Sequence, residues 1–359
     1  METIQIKSGQ GDYTVDFISD LTHLVDNIQI TSKSIVVIDR NVSRLYSKLV
    51  RPLKKIYPVI EIDATEEEKS FVGVSKVLTY MQEQNITKRN IMIAIGGGII
   101  EDIAAFVAHI YYRGIKWIYV PTTLLAMCDS CIGAKVGINF NDYKNQLGFF
   151  HSPIKVLVYT GFIDTLKDSD ISSGYGEILK LSLTGPNLFF NELKSALSKD
   201  GLKNYSVDGF IYKSLKIKKH YVEIDEYDNG ERRKLNYGHT FGHALETITN
   251  YEIPHGLAIV WGMDLANWIS LKSGLLKKNH FQTVNEVIRN YFIFPTVLKI
   301  DTQKLFDHMK HDKKVQGNTV NLILLEKPGV LKIDPTKIDN NLYSVVDDYM
   351  EAFYSSNDK

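Results

Sequence analysis

Between Ser34 and Val120 four short β-branched runs alternate with helical stretches, and this rhythm constrains the fold more than any other feature of the chain. SIVVIDR (34–40) reads as a buried strand, with a helix over Asn41–Arg51 after it. PVIEID (58–63) is a second strand, followed by an amphipathic helix over Glu66–Gln84. IMIAI (91–95) runs straight into Gly96-Gly97-Gly98 and an apolar helix, Ile99–Tyr112, before a fourth strand, KWIYV (116–120). Parallel strands need a crossover of about a dozen residues, so this alternation predicts βαβ units on a parallel sheet. Ligands of such sheets gather at the carboxyl ends of the strands. After about residue 160 the period turns helical, over Ile171–Leu197, Ser206–Val222, Gly238–Asn250 and Gly256–Ser273, with few strand signals until NLILLE (321–326). The expectation is an α/β domain over 1–160 and a mainly helical domain over 161–359.

A chain of 359 residues is longer than one hydrophobic core usually serves, which agrees with two domains. Lys plus Arg and Asp plus Glu number 42 each, so no net field draws nucleic acid or an anionic membrane. An anionic ligand must therefore be held by a local cluster of cations. Two cysteines exclude a disulfide framework, and no stretch reaches the roughly 18 apolar residues of a membrane span. METIQIKSGQGDYTVDF lacks the apolar core of a signal peptide. The expectation is a cytoplasmic protein acting on a small molecule.

Three motifs stand out. Gly96-Gly97-Gly98 lies where a strand turns into a helix, so the backbone there can approach a pyrophosphate closely. It is not G-x-G-x-x-G, and a glycine turn that only redirects the chain has the same spacing. Asp102, on the first helical turn, suits a ribose hydroxyl or simply the helix dipole. His239 and His243 share a helical face at i and i+4, and His255 follows, a set that suggests zinc. The glutamate of H-E-x-x-H is missing, which argues against a metalloprotease. Cys128 and Cys131 have redox spacing but no second pair and no redox context, so two small core residues are the better reading. Arg113, Lys135, Lys144, Asn145, Lys180, Lys218, Arg232, Asn236, Lys313 and Lys314 recur beside these motifs. Each alone reads as surface; together they suit an anionic substrate.

From GGGIIEDIAAFVAHIYYRGIKWIYVPTTLLAMCDSCIGAK onward the chain resembles the 3-dehydroquinate synthase family of the sugar-phosphate cyclase superfamily. KNQLGFF, GYGEILK, KKHYVEIDEYDNGERRKLNYGHTFGHALE, PHGLAIVWGM and HDKKV continue the likeness in order, over about residues 35 to 330. The resemblance implies a Rossmann-like NAD-binding α/β domain, a helical metal-binding domain and, as is usual there, a homodimer. It places the cofactor on Asp39, Asn41, Glu66, Lys69, Gly97, Gly98, Ile99, Asp102, Thr122, Thr123, Phe162, Thr165, Leu166 and Asp170. It places zinc, or cobalt in its stead, on Glu177, His239 and His255. The implied substrate is a seven-carbon sugar-acid phosphate, 3-deoxy-D-arabino-heptulosonate 7-phosphate. Lys218 and Arg232 would hold its carboxylate; Lys135, Asn145, Asn236, His243 and Lys313 or Lys314 would hold its phosphate. Arg113 would reach the phosphate of the neighbouring subunit, and Asp129, Lys144 and Lys180 complete the polar cavity.

The implied chemistry is a net loss of phosphate, with NAD taking a hydride and giving it back. The chain departs from the family pattern at Glu101, where glycine is usual, so an acid there should face away from the phosphates. Cys131, Ala134, Val136 and Gly137 also depart from the usual Ser, Gly, Thr and Ala. Two rival readings follow from the same parts. One is a cyclase for sedoheptulose 7-phosphate or another neutral sugar phosphate; the other is an NAD- and metal-dependent polyol dehydrogenase. Lys218 paired with Arg232 favours an acid over a neutral sugar. The wealth of phosphate-binding cations argues against the dehydrogenase.

Overall fold

The structure, a computed structural model, describes residues 2–28, 34–141, 143–200, 207–294, 300–310 and 315–357. The chain divides into two compact units, Met1–Lys167 and Asp168–Lys359.

In the first unit the strands are β1 (Thr3–Ile6), β2 (Tyr13–Phe17), β3 (Ser34–Asp39), β4 (Val59–Ile62), β5 (Ile91–Gly96), β6 (Trp117–Pro121), β7 (Lys135–Phe140), β8 (Tyr143–Phe150) and β9 (Lys155–Val158). Seven of them form one sheet in the order β1-β2-β9-β6-β5-β3-β4, parallel throughout except for the β1–β2 pair. The four strands expected from the sequence are β3 to β6, which lie side by side and run out to the β4 edge. Ile35, Val36, Val37 and Ile38 are wholly buried, as a strand covered on both faces requires. The helices are α1 (Leu21–Ile28), α2 (Arg40–Leu45), α3 (Ser47–Ile56), α4 (Phe71–Glu83) and α5 (Gly98–Ile110).

Two details correct the sequence reading. The helix expected from Glu66 starts at Phe71, because Ser70 caps it, its hydroxyl accepting from the Val72 N–H at 3.2 Å. Glu66 and Lys69 are thereby left in a turn at the carboxyl end of β4. The β7–β8 hairpin was not expected at all, and it carries Lys135, Lys144 and Asn145.

The second unit is helical: α6 (Asp168–Thr184), α7 (Asn187–Asp200), α8 (Asp208–Ile224), α9 (His239–Ile248), α10 (His255–Lys272), α11 (Lys278–Tyr291), α12 (Thr302–Lys310) and α13 (Asn340–Asn357). A small antiparallel sheet of β10 (Val315–Gln316), β11 (Thr319–Lys327) and β12 (Val330–Lys337) completes it. The single helix expected over 171–197 is two, broken at Gly185-Pro186, where proline opens the next helix without needing its missing N–H. Helices α6 and α10 touch backbone to backbone: a Cβ at Gly256 would lie 1.8 Å from the Ser173 carbonyl oxygen. Among the described residues no helix is long and apolar enough to cross a membrane.

Candidate active site and metal centre

In the first unit the charged candidates gather beyond the carboxyl ends of β4 and β5. Lys69 Nζ lies 2.6 Å from Asp102 Oδ2, and Lys144 Nζ 3.2 Å from Glu66 Oε1. Burial would lower the Lys69 ammonium, but the charge and bond of Asp102, with Glu66 behind, hold it above the ordinary lysine value. Burial would likewise raise the Glu66 carboxyl, yet the Asn139 amide and the Lys144 and Lys69 charges bring it below its ordinary value. The Gly137 N–H donates to Asp102 Oδ1 at 2.9 Å, so Asp102 serves the hairpin as well as Lys69.

The glycine turn joins β5 to α5 with no side chain capping the helix. A Cβ at Gly97 would stand 2.9 Å from Thr123 Cγ2, so only glycine lets the turn close on Thr122 and Thr123. Thr122 donates its N–H to the Gly96 carbonyl at 3.0 Å. Gly98 and Ile99 open α5, whose unbonded amides suit an anion. Glu101 is buried, and its Oε2 accepts from the Ser130 hydroxyl at 2.6 Å.

The remaining candidates of this unit are more scattered. Asp39 caps α2, accepting from the Asn41 N–H at 2.7 Å; burial raises its pKa more than its backbone bonds lower it. Phe162 and Thr165 lie in a turn after β9, and the Tyr46 hydroxyl is 2.9 Å from Thr165 Oγ1. Leu166 follows that turn, and Asp170 is exposed on the first turn of α6. Asp129 is buried in the turn Ala126–Ser130, and Lys135 is exposed at the start of β7. Cys128 and Cys131 are buried, their thiols 3.6 and 3.5 Å from the Leu125 and Met127 carbonyls, as small core residues would be. Arg113 is exposed in the turn Tyr111–Arg113 that follows α5, with a left-handed φ of 62°, and no bond joins it to another candidate among the described residues.

The second unit holds the histidines. Close contact of α6 with α10 sets Glu177 against His255, and α9 packs on α10 beside them. The ligand atoms of His239, His243 and His255 all lie within 4.8 Å of one another. Glu177 Oε1 is 3.2 Å from His255 Nε2 and 4.0 Å from His239 Nε2. The far nitrogens are held too: His239 Nδ1 is 3.2 Å from the Tyr237 carbonyl and His255 Nδ1 3.2 Å from Glu246 Oε2. Both Nε2 atoms thus face one carboxylate oxygen, a mixed nitrogen and oxygen donor set that fits a divalent metal. Burial opposes a charged His255, but its bonds to Glu177 and Glu246 prevail and raise it to about 10. A metal there must displace that proton. His243 is exposed.

Among the described residues one cation touches this centre and two more are buried in the same unit. Glu177 is 1% exposed and its Oε2 lies 2.5 Å from Lys180 Nζ. Lys180 and Arg232 are each 3% exposed and Lys218 is buried on α8. Arg232 sits in the turn Glu231–Asn236, its side chain donating to the Glu226 carbonyl and its N–H to Asp225 Oδ2 at 3.0 Å. Asn236 closes that turn half-buried, and α6, α8 and the turn pack together. Lys313 and Lys314 lie outside the described residues. Sequence reasoning overlooked Asn139, Tyr237 and Glu246; only a rule that a metal-bound imidazole seeks a second acceptor would have found Glu246.

Family models described as 3-dehydroquinate synthase N-terminal and C-terminal match residues 59–173 and 174–315. The 3-dehydroquinate synthase of Helicobacter pylori (strain P12) is 34% identical over 336 residues, 93% of this chain and 95% of that one. That of Clostridium kluyveri is 34% identical over 86% of this chain and 87% of its own. Among solved structures, 2-deoxy-scyllo-inosose synthase with carbaglucose-6-phosphate, NAD+ and Co2+ is 24% identical, with a TM-score of 0.86 over 97% of this chain and 99% of that one. ValA, a 2-epi-5-epi-valiolone synthase from Streptomyces hygroscopicus with NAD+ and Zn2+, is 24% identical at a TM-score of 0.83, over 95% and 97%.

Proposed function

The chain belongs to the 3-dehydroquinate synthase family, and from that premise we propose that it turns 3-deoxy-D-arabino-heptulosonate 7-phosphate into 3-dehydroquinate and phosphate. NAD in catalytic amounts and a divalent metal, which we take to be zinc, supply the reversible hydride transfer and the polarised hydroxyl when bound. The observation that carries the reading is the pairing of a nitrogen and carboxylate donor set with buried Arg232 and Lys218 in the same unit.

Glu177, His239 and His255 would hold the metal. Their donor types suit it, and the Tyr237 carbonyl and Glu246 orient the two rings. Asp39, Asn41, Glu66, Lys69, Asp102 and the amides at Gly97, Gly98 and Ile99 would hold the cofactor. Thr122, Thr123, Phe162, Thr165, Leu166 and Asp170 complete its site in this reading. We assign residues 1–160 to the cofactor and 161–359 to metal and substrate.

Arg232 and Lys218 bind the substrate carboxylate, since a planar guanidinium suits a carboxylate through two parallel bonds. Lys135, Asn145, Asn236 and His243 bind the phosphate, and Lys313 or Lys314 joins them. Lys180 sits against Glu177 and holds that carboxylate facing the imidazoles. Asp129 and Lys144 line the polar cavity. Elimination of phosphate needs a proton removed beside the developing carbonyl, and the leaving phosphate dianion, held by these cations, is itself placed to take it. The exposed, left-handed Arg113 suits a contribution to a second subunit, so we propose a homodimer, working in the cytoplasm.

The test is phosphate release from the sugar-acid phosphate, sedoheptulose 7-phosphate and glucose 6-phosphate, each with catalytic NAD and zinc. Release from the acid alone is the expected outcome. Release from a neutral sugar alone would move the chain to another cyclase activity. Steady reduction of NAD without phosphate would make it a dehydrogenase.

A further inference from the structure

We propose that Asn139, on β7, is a positioning residue that ties the groups assigned above to the cofactor to those assigned to the substrate phosphate; the proposal rests on that assignment. Its backbone N–H donates to the Lys69 carbonyl at 2.8 Å. Its side-chain Nδ2 donates to Glu66 Oε2 at 2.7 Å and to the Glu66 carbonyl at 3.2 Å. Its Oδ1 accepts from the Asn145 N–H at 3.0 Å. One amide therefore grips the turn after β4 with its donors and the second strand of the hairpin with its acceptor, and only an amide offers both at that length.

The surroundings make the grip specific. Asn145 has a left-handed φ of 51°, a conformation that asparagine tolerates and that the Oδ1 bond pins in place. Lys144, its neighbour, reaches the other oxygen of Glu66, Oε1, at 3.2 Å. Glu66 thus has Asn139 on one oxygen and Lys144 on the other, so its direction is fixed before any ligand arrives. Strand alternation puts Gly137 on the same side as Asn139, and its N–H holds Asp102 at 2.9 Å. The hairpin accordingly sets two acids of the cofactor group, Glu66 and Asp102, while presenting Lys144 and Asn145.

The test compares Asn139→Asp with Asn139→Ala in the zinc-loaded enzyme, measuring the NAD dissociation constant and the KM for the sugar-acid phosphate across pH. Asn139→Asp keeps the shape and the acceptor for Asn145 but sets a second carboxylate against Glu66. The charged groups facing it are Glu66, Lys69, Lys144 and Asp102. Two such carboxyls share one proton as pH falls, and the protonated one donates as the amide did. Relative to the unchanged protein, Asn139→Asp should bind NAD about tenfold more weakly near pH 8 and recover to within about threefold near pH 5.5. Asn139→Ala should be about tenfold weaker at both, and KM should rise in both variants. NAD affinity in both variants equal to that of the unchanged protein, or one pH-independent loss shared by both, would overturn the proposal. Should the alanine variant not fold, the pH profile of the isosteric aspartate variant decides alone. An unchanged protein that binds no NAD would instead remove the cofactor assignment, and the proposal with it.

Discussion

The two candidate centres are held in place by different means. Around Glu66 and Asp102 the geometry comes from side-chain bonds between separate segments, the turn after β4, helix α5 and the β7–β8 hairpin. Around Glu177 it comes from helices pressed together through glycine, with the Gly256 N–H also donating to Ser173 Oγ at 2.8 Å. A wired site yields bond by bond, each net contribution being about 1 kcal/mol, or about 1.5–3 kcal/mol where a charge takes part. A site set by close-packed backbones has no such gradation, because a single added methyl must separate the helices that carry its ligands.

The largest expected effect follows from that contrast. Gly256→Ala brings a Cβ to 1.8 Å from the Ser173 carbonyl, so α6 and α10 must part and Glu177 leaves His255. The variant should lose stoichiometric metal and unfold at a clearly lower temperature. Full metal content at an unchanged Tm would break the packed half of the comparison.

Next comes the choice of ligands. Glu177→Ala should lose the metal, whereas His243→Ala should keep it and lose activity through weaker phosphate binding. The physical ground is charge: a carboxylate partly neutralises the dication, which three imidazoles beside Lys180 and Lys218 would not. Metal retained in the first variant and absent from the second would reverse the assignment. Arg232→Ala should cost less, at least about tenfold in turnover of the acid, since a bond to a charged group is worth about 1.5–3 kcal/mol. Normal turnover there would favour a neutral sugar.

The smallest effect belongs to the wired unit. His151 stands edge-on to His109 at 5.0 Å and stacks with Trp117 at 6.3 Å. Burial, with some help from His109, lowers its pKa from 6.5 to about 4. The unfolded chain takes up this proton first, so stability is complete above the unfolded value and declines as pH falls through the window from 6.5 to about 4. His151→Phe, which stacks without titrating, should lessen the fall in Tm on acidification by a few degrees. An identical acid response would show that His151 does not contribute.

How much could be read beforehand differed between the same two regions. Strands β3 to β6 announced themselves through buried β-branched runs, and the glycine turn and the histidine set were visible as spacing. Strands β1, β2 and β9 are only 4 or 5 residues long and, unlike the equally short β4 and β6, lie outside the strand–helix alternation that gave the others away. The hairpin was hidden because KVGINF and YKNQLGFF mix polar residues with glycine and lack a recognisable two-residue turn. Glu66 and Lys69 were read onto a helix, since nothing local says that Ser70 caps the next one. Asn139 and Glu246 carry no motif; their importance exists only once the chain has brought an acid or an imidazole within bonding distance.

The central claim is that both centres serve one elimination in which NAD is regenerated. Phosphate released should therefore exceed the NAD supplied many times over, while the absorbance of the reduced cofactor stays flat through the reaction, and omitting either NAD or metal should stop it. Reduced cofactor accumulating in step with product would contradict the account and make the chain a dehydrogenase.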